Sequence, residues 1–414
     1  MSDFYRRFKD EILVGGDPNQ TGESREGGLT PWLTGAVLIA LLAWLWSNNP
    51  WTLLFVLGLF ISVFLHEVGH FITARATGMK VTQFFMGFGP RLWSFRRGEV
   101  EYGLRALPLG AFVRIIGMSN LDPVEPEDEP RAYMNKSYPR RMLVITAGSL
   151  MHAIIAVVLF FGVYSTAGRF GESGAVTIVL PPATGSPAER AGIQEGDVVV
   201  AFNGKTVSTR DELVEGITTS EIGEDVTIDV VRDGNPVSIS ATLAANDTGD
   251  LAYLGVVSQS VDYVPQGVFD AARYAFVDLG ATAYNSVRGV FTVLNPANII
   301  SSITNDVADP TTRPSTVVGA SQFGGEVGRQ DGLKGMLLVL ASLNVFVGVF
   351  NLFPLLPFDG GHAAIATYER IRSRRGKPYR ADLAKMVPVA TAVVAILAFL
   401  LVAGLYLDIT QPLG

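Results

Sequence analysis

The sequence predicts a polytopic α-helical membrane protein of about five spans. It adds a β-rich cytoplasmic loop region and one extracytoplasmic α+β domain. Three observations carry this. Hydrophobic residues make up 48% of the 414 and charged residues 17%, with a mean hydropathy of +0.32; that is too apolar for an ordinary soluble chain. Several segments reach the roughly 20 apolar residues that a spanning helix needs. Lys and Arg are shared unevenly among the loops between them.

The length leaves room for two or three domains. Residues 1–30 are polar and mixed in charge, and read as a cytoplasmic N-terminal segment with no cleavable signal peptide. Residues 31–76 read as two spans, roughly Pro31–Ser47 and Trp51–Ala76, joined by the tight turn SNNP (Ser47–Pro50). Trp32, Trp44, Trp46 and Trp51 mark the ends of the first, as an aromatic belt would; a single re-entrant hairpin is the alternative. Residues 77–140 form the cytoplasmic β-loop region, with an exposed acidic loop at Asp122–Arg131. The third span covers 141–167 and the outer domain 168–260. Residues 261–332 hold an amphipathic helix and a linker. The helix is Val264–Leu294, with Phe269, Tyr274, Phe276, Tyr284, Val287 and Phe291 among polar residues, as suits a membrane surface. Asn305–Pro314 reads as a loop, and Gly-rich Thr316–Gly332 leads back to the bilayer. Residues 333–414 give the last two spans, Leu333–Phe353 and Val387–Leu407, with Pro388 tolerated near the start of the second.

The basic residues set the sidedness. Lys80–Arg141 carries ten Lys and Arg, and Arg370–Lys385 carries seven in a short loop. Arg169–Lys334 also carries ten, but over more than twice the length of the first and among many acids. The first two therefore face the cytoplasm and the long one faces out. The net charge of −7 gives no basis for nucleic-acid binding, and there is no basic stripe with interleaved aromatics. The chain has no cysteine, which excludes disulfides, thiolate metal sites and cysteine nucleophiles.

The second span contains FISVFLHEVGHFITARATG, Phe60–Gly78. His66 and His70 stand four residues apart, on one face of a helix, about 6 Å of rise. Two imidazoles so placed can hold one zinc ion, and Glu67 beside them can take a proton from water. Two paired structural histidines are the plainer alternative, but an ionisable group inside a span costs on the order of 2.5–3.5 kcal/mol and usually marks function. The soluble pattern H-E-x-x-H-x-x-G-x-x-H fails, since Thr73 and Ala76 stand where the glycine and third histidine belong. Glu99 and Glu101 are poor third ligands, in a short hairpin-like loop. Asp359 is better. It lies in NLFPLLPFDGGH, Asn351–His362, where two prolines end the fourth span and DGG makes a turn. The second and fourth spans run in the same direction, so Asp359 reaches the depth of His66 and His70. Two His and one Asp leave a fourth position open for water.

H-E-x-x-H in one span with N-x-x-P-x-x-P-x-D-G-G after a later one resembles the site-2 protease family of intramembrane zinc metalloproteases. The resemblance runs from Phe55 onward. It implies one zinc per chain on His66, His70 and Asp359, Glu67 as general base, and a transmembrane helix as substrate, for example that of an anti-sigma factor. MGFGP, Met86–Pro90, resembles the family's G-F-G loop, which makes Gly87, Phe88 and Gly89 substrate-binding candidates. Val100–Ile116 resembles its membrane-dipping β-hairpin, whose free edge could hold an unwound substrate. Asn351 is a substrate-binding candidate by the same analogy. One departure stands out: where the family reads A-G-P-x-x-N, this chain reads AGSLMH, Ala147–His152. Three roles stay open for His152. It could donate to an oxyanion, fill the metal's open position and make the site latent, or be satisfied and idle. His362 reads as local structure.

Gly185–Val207, GSPAERAGIQEGDVVVAFNGKTV, resembles a PDZ domain. It gives a short helix, then a strand and turn; DELVEGITTS follows as a helix and VTIDVVRDGNPVSISATL as a hairpin. The expected protein is a multi-pass enzyme of the plasma (inner) membrane with its PDZ-like domain outside. Its expected partners are transmembrane substrates, the lipid bilayer and an upstream site-1-type protease. The rival readings are an inactive or latent adaptor that binds clients through the PDZ-like domain, and a metal transporter. Glu67 argues against the first, and polar residues confined near one face argue against the second.

Overall fold

The computed structural model describes residues 29–118, 124–304, 309, 312–373 and 379–412. The expected N-terminal segment falls almost wholly outside them, as do 122 and 123 of the acidic loop, 305–308, 310 and 311 of the Asn305–Pro314 loop, and the side chain of Trp32. The chain forms two compact units, Met1–Phe161 with Arg273–Gly414, and Gly162–Ala272.

The first unit opens with helix α1, Leu29–Asn48, and helix α2, Pro50–Ala76. The SNNP turn works as a helix start. The Asn49 side chain accepts from the Trp51 amide at 3.0 Å, and Pro50 takes the first helical position, where its missing N–H costs nothing. The buried residues of α2 are Phe55, Ser62, His66, Gly69, His70 and Ala74. Their spacings of seven, four, three, one and four mark a single stripe turned inward. Strands β1, Val81–Arg97, and β2, Val100–Ile115, form an antiparallel hairpin, and both bend midway. Phe84–Met86 therefore pairs with Val113–Ala111 on one side and with Tyr102–Leu104 on the other. Ala111–Ile115 has β1 along one side only, and so forms an edge. Helix α3, Tyr138–Thr166, follows.

The second unit is a six-stranded sheet with two short helices. Its elements are β3 (Arg169–Ile178), α4 (Pro187–Ala191), β4 (Val198–Phe202), β5 (Lys205–Thr206), α5 (Arg210–Thr219), β6 (Asp225–Arg232), β7 (Asn235–Thr242) and β10 (Ser258–Val264). The order is β10-β3-β4-β6-β7, with β5 on β4; β8 (Ala244–Ala245) and β9 (Ala252–Tyr253) pair separately. Thr209 and Glu212 cap α5 reciprocally. Asp233 and Gly234, at φ 49° and 80°, turn β6 into β7 as a two-residue hairpin loop requires. Val176, Val199, Leu213, Ile228 and Val230 fill the core.

The chain returns through α6 (Val268–Val293), α7 (Pro296–Thr304), α8 (Val317–Asn351), α9 (Asp359–Arg372) and α10 (Val387–Thr410). Phe269, Phe276, Tyr284 and Phe291 of α6 are exposed, seven or eight residues apart on one face. Among the described residues, α2, α3, α8 and α10 are long and apolar enough to cross a membrane. The first expected span falls on α1, Leu29–Asn48, whose stretch Gly35–Asn48 is apolar and helical.

Two expectations are corrected. The Gly-rich stretch read as a linker is helical, joined to the fourth span across non-helical Gly332. Glycine costs about 1 kcal/mol in a helix interior, but Gly324, Gly325 and Gly328 let Phe55, Thr52 and Trp51 of α2 approach where any Cβ would collide. Close helix packing overrides propensity here. The DGG turn is instead the first turn of α9. Gly360 packs on the backbone oxygens of Leu352 and Phe353, and a Cβ on Gly361 would lie 2.6 Å from Leu355 C and Leu356 N. The glycines serve close backbone approach.

Candidate metal centre and active site

The α-helical period of α2 brings His66 and His70 together, with ring centroids 4.8 Å apart. Their Nε2 atoms are 3.2 Å apart. Asp359, at the start of α9, places Oδ2 3.2 Å from His70 Nε2 and 3.5 Å from His66 Nε2. The Nδ1–H of His70 donates to the carbonyl oxygen of Val144 on α3 at 2.7 Å. A neutral imidazole has one N–H, so His70 Nε2 carries a lone pair. His70 Nε2 thus turns its lone pair towards the Asp359 carboxylate, with His66 Nε2 beside them, and Asp359 Oδ2 has no hydrogen-bond donor. A cation resolves this. Ligands about 2.0–2.1 Å from a tetrahedral zinc stand about 3.3 Å from one another, which matches the three separations. Among the described residues these three form the only group able to hold a metal ion.

Gly148 on α3 makes the room. A Cβ there would lie 2.5 Å from the Nε2 atoms of both histidines. Glu67 is half-buried on α2, and the backbone N–H of Val113, on the β2 edge, faces its carboxylate. His152 of α3 is 1% exposed, with its ring 5.0 Å from that of His66. Its Nδ1 lies 2.8 Å from Oδ1 of Asn344 on α8.

Gly87 and Gly89 take φ of 84° and 78° at the bend of β1, and Phe88 between them is 43% exposed and stacked near Phe112. Asn351 is the last residue of α8. Glu99 pairs with Arg131 and Glu101 with Arg91, each at 2.6 Å. His362 lines a small cavity with Tyr133, Arg141 and Glu369. Sequence reasoning passed over Val144, whose contribution is a backbone carbonyl and leaves no side-chain signal. It also passed over Asn344, which did leave one: an amide in the middle of the apolar fourth span, seven residues before Asn351.

Residues 54–395 match peptidase family M50. The chain belongs to peptidase family M50. This M50 peptidase is 36% identical over 397 residues to zinc metalloprotease Rip1 of Mycobacterium bovis, covering 87% of this chain and 97% of that protein. It is also 36% identical over 401 residues to Rip1 of Mycolicibacterium smegmatis, with the same coverage. A putative zinc metalloprotease of Clostridium acetobutylicum is 26% identical over 362 residues, again covering 87% and 97%. The site-2 protease family expected from the sequence is therefore the right one, and this M50 peptidase is a metalloendopeptidase with zinc as its metal.

Proposed function

We propose that this M50 peptidase cuts transmembrane segments of membrane proteins, with His66, His70 and Asp359 holding zinc and Glu67 as general base. The observation that carries the reading is the convergence of His66 Nε2, His70 Nε2 and Asp359 Oδ2 beside Glu67. Zinc held there would lower the pKa of a bound water towards about 7 and polarise the scissile carbonyl. Glu67 accepts the water's proton as the oxygen attacks and returns a proton to the leaving amine. A helical peptide bond is shielded, so the substrate must first be extended. The Ala111–Ile115 edge, with the Val113 N–H at Glu67, suits an added substrate strand. Gly87, Phe88, Gly89 and Asn351 contact that strand in this reading.

The second unit acts as an extracytoplasmic PDZ-like domain that filters or senses substrates trimmed outside by a site-1-type protease. Anti-sigma factors are one such substrate class. The Lys and Arg counts support cytoplasmic placement of the β-hairpin and of the loop after α9, in a plasma membrane. The test is cleavage of a panel of single-span substrates by purified protein in detergent. Cuts inside the span that vanish in Glu67→Gln support the reading. Equal inertness of both proteins without bound zinc would favour a client-binding adaptor.

A further inference from the structure

The hydrogen bond between His152 and Asn344 sets the polarity of His152. Asn344 is fully buried, and its Nδ2 donates to the carbonyl oxygen of Leu340 at 2.8 Å. That bond identifies Oδ1 as the atom turned to His152 Nδ1, 2.8 Å away. An amide oxygen only accepts, so Nδ1 carries the hydrogen. In a neutral imidazole Nε2 is then an acceptor. The arrangement is built in. A Cβ on Gly348, one turn after Asn344, would lie 3.1 Å from the His152 Cβ and 3.3 Å from the Ser149 oxygen, so α3 and α8 close tightly at this point. His152 Nε2 is not one of the three converging ligand atoms. It belongs to a buried ring whose centroid lies 5.0 Å from that of His66.

We propose that His152 Nε2 accepts the second hydrogen of the attacking water, and that Asn344 is the positioning residue that fixes the tautomer. This rests on the zinc-peptidase reading above. Glu67 takes one hydrogen of the water and His152 holds the other. Both hydrogens are then directed, and a lone pair is left for the carbonyl carbon. The polarity is opposite to that of an oxyanion donor.

The test is nitrogen-15 NMR of the histidine-labelled protein in micelles, metal-free and zinc-loaded. With four histidines in the chain, His152→Phe assigns the signals. The expected result is a hydrogen on Nδ1 and none on Nε2 of His152 in both states, with only His66 and His70 taking metal-bound shifts. A hydrogen on Nε2, or a metal-bound shift there, overturns the proposal. Absence of any zinc response at His66 and His70 would instead sink the underlying metal assignment. In cleavage assays His152→Phe should lower kcat about 10–100-fold at unchanged zinc content and KM. Asn344→Leu should mix the tautomers and lower kcat, and Asn344→Asp, which still accepts from Nδ1–H, should restore both. Unchanged kcat in His152→Phe, or tautomers unmoved by Asn344→Leu, overturns it.

Discussion

The Nδ1–H of His70 on α2 is bonded to the carbonyl oxygen of Val144 on α3, 2.7 Å away. One backbone oxygen thereby settles which ring nitrogen turns towards His66 and Asp359. Outer partners of this kind orient a ligand and raise its basicity. They also show how the site depends on α3 lying close against α2, through Gly148 and Gly69, each of which faces the other helix with no room for a Cβ.

Gly148→Ala tests that closeness. Its Cβ would sit 2.5 Å from both imidazole Nε2 atoms, so the rings must move apart. We expect bound zinc well below one per chain by elemental analysis, with helix content by circular dichroism unchanged. Full zinc occupancy would show that α3 can move aside freely.

Glu67 and Asp359 should separate chemistry from binding. Glu67→Gln removes the proton acceptor and leaves the ligand atoms, so cleavage should fall about 10²–10⁴-fold with zinc retained. Asp359→Asn removes the charge from the proposed ligand set, so zinc should be lost at chelator concentrations that spare wild type. Chelation of wild type should abolish cleavage, and zinc should restore it. Retention of zinc by Asp359→Asn to the same chelator endpoint would point to another third ligand.

Asp408 near the end of α10 ties that helix to α8. Its carboxylate accepts from Arg313 at 2.8 Å, Ser315 at 3.0 Å, the Thr316 amide at 2.8 Å and hydroxyl at 2.7 Å, and the Gly319 amide at 3.0 Å. The Asp408 and Arg313 side chains are 0% and 2% exposed. Asp408→Ala leaves a buried guanidinium without its carboxylate and should cost about 3–5 kcal/mol, read as a lowered unfolding midpoint in micelles. Gly319→Ala should act the same way, since its Cβ would lie 2.6 Å from the Asp408 Cγ. Midpoints within error of wild type would rule out the tie.

The second unit should have its own acid sensitivity. Arg232 bonds both oxygens of buried Asp197, at 2.7 and 2.6 Å, and holds that carboxyl below the usual Asp range. The Gln194 amide adds a third bond at 2.9 Å. A folded pKa below the unfolded value of about 3.9 means that the stabilisation is complete above that value. It is lost as pH falls through the lower folded value. Asp197→Asn should cost about 1.5–3 kcal/mol at pH 7, the worth of a hydrogen bond to a charged group. It should also flatten the acid limb of stability below about pH 4, measured by denaturant unfolding followed on this unit. An acid limb as steep in the variant as in wild type would assign that sensitivity elsewhere.

The sequence by itself determined what is periodic or local. His66, Glu67 and His70 follow from one helical turn. The second unit's helices and hairpin follow from caps and from the Asp233–Gly234 turn, because these signals act within a few residues. Asp359 was legible as a candidate because its motif follows a predicted span, and the structure brings it to His66 and His70. Tertiary structure decided what depends on neighbours far along the chain. The Gly-rich segment before Leu333 became helix because α2 packs into its glycines. The tautomers of His70 and His152 were set by Val144 and by Asn344, which lies 192 residues from His152. A hydrogen bond at that separation leaves no local pattern to read, since packing between helices, and not the period of either one, brings its partners together.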